Sequence, residues 1–383
     1  MKQKKLNSPI LNRRKFVQGT MVGAASAAVI GTPPLVTNAF ASSGEIDILM
    51  WSDYLPVSFR EAFAKETGIK INFTGVGSNE VILNLIKANR GNGFDICTPT
   101  NNQNLVWAET TLLQPFAIKK IAFDKINPAM ARIGLDDWNF DNKGTHWLPH
   151  IWGTEGIAWR TDKYTPEGGT PSYGAIWDGE NGGKTMGRPH SMMLGAGLYM
   201  ETIGALETGD MWKAYQSKEI MVPIWNKVTS WCLERKKNVQ LLWNDADSQK
   251  SAFNKKGVIV GQTWDGPPLA MKSSGQPIQY QAPKEGAMAW VDGLSIPIGA
   301  KNIDEIYAFI NFAYKKSTAG EAINHHGYNS PVLGADQFAN ENYKKNFIEA
   351  YPGDALAKLN PWLPQAPWYV DLRTEFVNKF LAG

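Results

Sequence analysis

The sequence is poor in the residues that most often carry chemistry. Its 383 residues hold only two cysteines and five histidines. The adjacent pair His325-His326 is badly placed for a metal, because neighbouring side chains on a helix do not face one another. There is no G-x-S-x-G elbow, no G-x-x-x-x-G-K-[ST] phosphate loop and no G-x-G-x-x-G fingerprint, so nothing in the chain argues for an enzyme or a cofactor. The neighbouring tyrosines that would hold a ferric ion are also missing, since Tyr164, Tyr173, Tyr199 and Tyr328 stand apart. Long apolar runs are absent too: the best, Phe16 to Ile30, is about fifteen residues, interrupted by Gly19, Thr20 and Gly23, and too short for a good transmembrane helix.

What is present describes a folded protein. Hydrophobic residues make up 43% and charged residues 20%, which excludes a disordered or fibrous chain, and the length suits two or three units. The formal charge of +3 hides an asymmetry. Six of the 39 cations (Lys2, Lys4, Lys5, Arg13, Arg14 and Lys15) precede the first acid, Glu45, so the remainder carries 33 against 36 acids, a net of −3. A nucleic-acid partner, which needs a dense cationic face, is not expected.

Residues 1–41 read as an address. A basic start, the apolar run to Ile30 and Ala39-Phe40-Ala41 before Ser42 follow the order of a secretory signal. Asn12-Arg13-Arg14-Lys15-Phe16-Val17 is similar to a twin-arginine signal. With no cysteine at the cleavage site for a lipid anchor, the expectation is a free, monomeric protein in the bacterial periplasm. Cys97 and Cys232 would be allowed to pair there, but their apolar contexts, one strand-like and one helical, predict two separate buried thiols.

From Glu45 short β-rich runs alternate with helical ones. Strands are predicted at 46–51, 69–73 and 94–97, and helices at 57–66 and 78–89. Such alternation implies a parallel sheet with right-handed crossovers, in which ligands collect beyond the carboxyl ends of the strands. A Gly- and Pro-rich stretch, 166–189, separates a second α/β unit. Its predicted helices are 194–206, 211–227, 248–255 and 303–314, with a strand at 257–262 and a loop-strand segment at 283–298. The fold class expected is α/β with two lobes.

Tryptophan is plentiful, fifteen in all, and Trp51, Trp152, Trp243, Trp264 and Trp290 fall where loops should follow strands. Asp53, Asp265 and Asp292 lie within two residues of three of them. A tryptophan face attracts a cation by about 0.5 to 2 kcal/mol, and an aromatic wall with an acid makes a cage for an ammonium group.

Several short, ordered segments carry a resemblance. They are Trp51-Ser52-Asp53-Tyr54-Leu55-Pro56, Lys65 to Lys70, Ser78-Asn79-Glu80, Leu148 to Thr154, Trp264-Asp265-Gly266, Pro283-Lys284-Glu285-Gly286 through Trp290-Val291-Asp292, and Gly327-Tyr328. Over residues 45–383 the chain resembles the periplasmic spermidine/putrescine-binding proteins of ABC importers. The resemblance implies a type II periplasmic binding fold, with mixed sheets flanked by helices and two lobes closing on one ligand. The N-terminal lobe would be 42–151 plus about 290–334, and the C-terminal lobe 152–289 plus about 335–383. The closed form would dock on a cognate permease in the inner membrane. Trp51 and Tyr54 would line one wall, Trp264 and Trp290 would stack on the ligand, Asp292 would take a terminal ammonium and Tyr328 would complete the aromatic box. Thr100 and Asn244 stand where the family places a serine hydroxyl. Ser52, Asp53, Trp152 and Asp265 are further candidates from the matched segments.

The chain also departs from that pattern. The Asp and Glu, three apart, that hold the second amine are replaced by Ser191 and Leu194, an expected tyrosine is Asn102, and a late glutamine falls at Leu363, with Gln365 nearby. Without a second carboxylate a diamine would leave a buried charge unpaired, at a cost of several kcal/mol. Glu155 would supply that acid, or Arg188 or His190 would instead face a carboxylate, which suits an ω-amino acid or a betaine. The ligand expected is a polyamine, with another small amine or zwitterion as the alternative.

Overall fold

A computed structural model describes residues 43–383; the expected signal sequence, with its twin-arginine-like segment, lies outside the described residues. Strand β1 (Glu45–Trp51) sits between β2 (Lys70–Val76) and β3 (Ile96–Cys97), parallel to both. Ile46, Ile48, Leu49 and Met50 of β1 are all fully buried, as the central strand of a covered parallel sheet requires. The crossovers are α1 (Val57–Thr67), stopped at Gly68 in the left-handed conformation (φ 74°), and α2 (Asn79–Ala88). The Ser78 hydroxyl caps α2 by accepting from the Val81 N–H at 3.2 Å, while Ile82 and Ile86 face the core.

The second sheet has seven strands. Its spine is the 13-residue β4 (Leu148–Arg160), followed in the chain by β5 (Thr185–Gly187), β6 (Val239–Leu242), β7 (Val260–Trp264), β8 (Ile278–Gln281), β9 (Met288–Leu294) and β10 (Asn360–Pro361). The order is β10-β9-β4-β7-β5-β6, with β8 also on β4. Strands β4 and β9 form an antiparallel ribbon joining the lobes. Its Met288/Glu155 end lies in this sheet, whereas its Leu294/Leu148 end reaches the first sheet, where Gly293 N–H donates to the Pro99 carbonyl (3.1 Å) and Cys97 bridges Ser295. The register slips between Asp292 and Gly293, leaving His150 unpaired. A bulge of this kind re-aims side chains, and here it sits beside Asp292.

Helix α3 (Pro189–Thr202) and α4 (Lys218–Arg235) cover the second sheet, and α5 (Ala246–Lys255) and α6 (Gly266–Ser273) flank β7. Helix α7 (Ile303–Ala313) packs Phe309 and Phe312 edge-on against Phe63 of α1. Helices α8 (Lys316–His326), α9 (Glu341–Ala350) and α10 (Pro367–Ala382) complete the chain, with Trp225 of α4 stacked on Phe376 of α10.

Three expectations need correction. The third strand is two residues long, not four. The helix expected at 211–227 is two helices, Asp210–Lys213 and α4, because Ser217 caps a new start. Helix α3 begins five residues early: Pro189 at its first position is pre-set for a helix, so the Pro-rich stretch ends in a helix start rather than a loop. Cys97 and Cys232 are buried and unpaired, as their contexts predict. His146 and His150 share a four-residue spacing, but one lies in a loop and the other on β4, so the spacing is not a helical one.

Candidate functional site

Between the lobes lies a narrow cavity of about 50 Å³. One end is built on Asp292. The Tyr54 hydroxyl donates to its Oδ2, and Oδ1 has no partner. Thr100 approaches from the loop after β3 and is fixed there by Asn79, whose amide donates to Oγ1 at 2.8 Å and whose Oδ1 accepts from the Thr100 N–H at 3.0 Å. Asp53 lies beside the Tyr328 hydroxyl. Three rings close the box: Tyr54 stacks on Trp290 (6.4 Å, 14°), and Tyr328 stands edge-on to both at 5.5 and 5.3 Å. Burial pushes the Asp292 carboxyl up to about 7 and that of Asp53 up to about 6. Neither has an ion-pair partner among the described residues.

The other end is lined by Trp51, Trp264, Glu80, Glu155, Arg188, His190, Trp362 and Arg373. Trp51 meets Trp264 edge-on at 5.7 Å, and its indole N–H donates to the Thr98 carbonyl. The Arg188 guanidinium lies 5.3 Å from the Trp264 ring centre and 5.9 Å from that of Trp243. Glu155, 1% exposed on β4, accepts from the Gln262 amide at 3.0 Å with Ser191 beside it, and burial raises its pKa. Arg373 of α10 donates to Glu80 (3.0 Å) and to Gln365 (2.8 Å). Asn102 is also on the wall, its side chain accepting from Gln103 and its carbonyl from the Gln365 N–H.

Of the residues singled out in the sequence, Trp51, Asp53, Tyr54, Thr100, Asn102, Glu155, Trp264, Trp290, Asp292 and Tyr328 meet at this cavity. The structure does not bring the other five to its wall. Ser52 is an exposed turn residue whose N–H donates to the Val76 carbonyl. The Trp152 indole turns to the Ser330 carbonyl and packs edge-on against Phe347. Asp265 caps α6 through Gly266 and accepts from Tyr351 and Asn329. Ser191 is buried behind Glu155, and Asn244 is exposed, with its carbonyl facing Gly77 across the cleft. For Ser52 and Asp265 the reason is that Trp51 and Trp264, the strand-end residues just before them, face the cavity and their neighbours point away. Sequence reasoning missed Asn79, Glu80, Gln103, Trp362 and Arg373. Glu80 stood in a matched segment, whereas Arg373 had no local signal.

The arrangement offers charge and aromatic surface around a closed space, with no nucleophile paired to a base. Residues 58–349 match the family model described as bacterial extracellular solute-binding protein. The chain belongs to that family. This solute-binding protein is similar to the spermidine/putrescine-binding periplasmic protein of Escherichia coli, 24% identical over 338 residues, covering 87% of this chain and 90% of the relative. It is similar also to the spermidine/putrescine-binding periplasmic protein 1 of Haemophilus influenzae, 26% identical over 325 residues and 84% of each chain. The solved spermidine/putrescine ABC transporter substrate-binding protein of Streptococcus pneumoniae shares its fold, with a TM-score of 0.66 at 22% identity over 88% of this chain and 98% of that one. The expected two-lobed binding fold is therefore the fold observed, and the protein is a transport component rather than an enzyme. Members of this kind bind a small solute and present it to a membrane permease.

Proposed function

We propose that this protein is the periplasmic binding component of an ABC importer for small organic amines, the class that includes the polyamines its relatives are named for, such as putrescine and spermidine. The observation that carries the reading is the Asp292 end of the cavity: a buried carboxylate with one oxygen lacking a partner and the half-buried Asp53 beside it, inside a box of three aromatic rings and with no ion-paired cation among the described residues. Such a box recognises an ammonium group by cation–π attraction and charge-assisted hydrogen bonds. The names of the curated relatives support the polyamine class. Residues 42–151 with about 290–334, and 152–289 with about 335–383, act as the lobes, joined by β4 and β9. A ligand touching both favours the closed state by its differential affinity for it, and the closed monomer is what the permease recognises.

A thermal-shift screen of residues 42–383 against putrescine, spermidine, ω-amino acids and betaines tests this. A ligand at about 100 times its dissociation constant adds roughly 2.7 kcal/mol of stability, visible as a raised Tm. Failure of every amine to raise it overturns the amine reading.

A further inference from the structure

The two ends of the cavity are charged differently. At the Asp292 end two acids wait for a cation. At the other end Glu80 is paired with Arg373, and Glu155 has the neutral donors Gln262 and Ser191, with the charge of Arg188 acting on both acids from beyond ion-pair distance. What remains there is a donor. The guanidinium of Arg188 has five N–H groups, yet its hydrogen bonding amounts to one long contact, 3.4 Å to the Gly77 carbonyl. No carboxylate among the described residues comes within ion-pair distance of it, whereas Arg373 is held on both sides. It lies over the faces of Trp264 and Trp243, which orient the group without using its donors, and Glu80, Glu155 and Asp292 act on it through their charge from beyond ion-pair distance.

Arg188 is also the N-cap residue of α3. That helix has 14 residues, no side-chain cap, and His190 of its first turn on the cavity wall. Free peptide N–H groups and the positive end of the helix dipole favour negative charge at this place. Burial and the neighbouring Arg188 and Arg373 keep His190 neutral, as a further donor or acceptor without a charge of its own. A guanidinium without a close ion-pair partner and an uncapped helix start therefore meet at one end, opposite two carboxylates that also lack one.

We propose that the far end of the ligand is anionic, held by Arg188 and the first turn of α3, so that the site selects an ω-amino acid over the diamine of equal length. This rests on the ammonium reading of the Asp292 end and changes only what the other end holds. A diamine would bring its second ammonium against Arg188 with Glu80 already paired to Arg373, leaving Glu155 alone to offset the like-charge contact.

Titration calorimetry of residues 42–383 with 4-aminobutanoate and 5-aminopentanoate, against 1,4-diaminobutane and 1,5-diaminopentane, decides it. The amino acid should bind at least about tenfold more tightly than its diamine. Arg188→Gln should abolish that preference, and Arg188→Lys, which keeps the charge, should retain most of it. Tighter binding of the diamine, strengthened further by Arg188→Gln and abolished by Glu155→Gln, overturns this inference and leaves the polyamine reading standing. A preference unchanged in a folded Arg188→Gln protein removes Arg188 from the assignment. Binding of neither class sinks both the inference and the amine reading.

Discussion

Arg373, on the last helix of the chain, donates to Glu80 at the start of α2 across the cleft, at 3.0 Å. The arginine is anchored in its own lobe by Gln365, and burial leaves it 6% exposed, so the pair ties a fixed group on one lobe to the first turn of a helix on the other. On the lobe division proposed above, the pair joins the two lobes and should form only in the closed state. It also holds the Glu80 carboxyl below the usual carboxylate range against the opposing effect of burial.

Glu80→Gln should therefore loosen closure without touching the ammonium box. The glutamate side chain is half exposed, which limits the pair to about 1 kcal/mol or less, or up to about fivefold in Kd. Small-angle scattering should show a larger radius of gyration for the free variant. An unchanged radius and affinity would show that the pair contributes nothing to closure.

Asp292→Asn should weaken any amine ligand by roughly 10- to 150-fold, the range expected for loss of a charge-assisted hydrogen bond worth about 1.5 to 3 kcal/mol. Thermal stability of the free protein should hold or rise, because the substitution removes a buried carboxylate that has no cation. Calorimetry and a melting curve read the two effects separately. Undiminished amine affinity would rule out Asp292 as the ammonium partner.

Affinity should fall with acidification. Asp292 titrates at about 7 and Asp53 at about 6 in the free protein, and both must be ionised to hold a cation. The free protein thus carries more protons than the complex below pH 7, and Kd should rise about tenfold per unit from pH 7 to 6, more steeply below 6. His150 and His326, behind Tyr54, are kept neutral by burial down to about 4 and about 3, so the window belongs to the acids. Asp292→Asn should flatten the limb between 7 and 6; a wild-type Kd constant from pH 8 to 5 would contradict these values.

Gly153→Ala should cost about 1–3 kcal/mol and distort the box. Gly153 on β4 faces Trp290 on β9, and a Cβ there would lie 2.5 Å from the indole ring and 2.5 Å from Asp265 Oδ1. Denaturant unfolding gives the stability loss, and tryptophan fluorescence reports the moved ring. A variant as stable as the wild type would mean that the ribbon yields at this point.

The sequence by itself determined the α/β alternation, the lobed class and much of the site. Trp51, Trp264 and Trp290 were legible because β-strand runs end at them, and strand ends in such sheets are where ligands gather. It left open which member of each neighbouring pair faces the ligand. Trp264 and Asp265 are chemically equal candidates for an amine cage, yet the strand's alternation sends one into the cavity and the other into a cap on α6. Nor did it place Arg188, which as a loop residue would be solvated; the start of α3 at Pro189 and the tryptophans beneath it bring its guanidinium into the cleft. Arg373 lies 293 residues from Glu80 and had no local pattern at all. Local periodicity reports which face of an element is apolar, and that much is written in neighbouring residues. Which charges end up opposite one another depends on how two lobes from distant parts of the chain come together, and only the tertiary structure decides that.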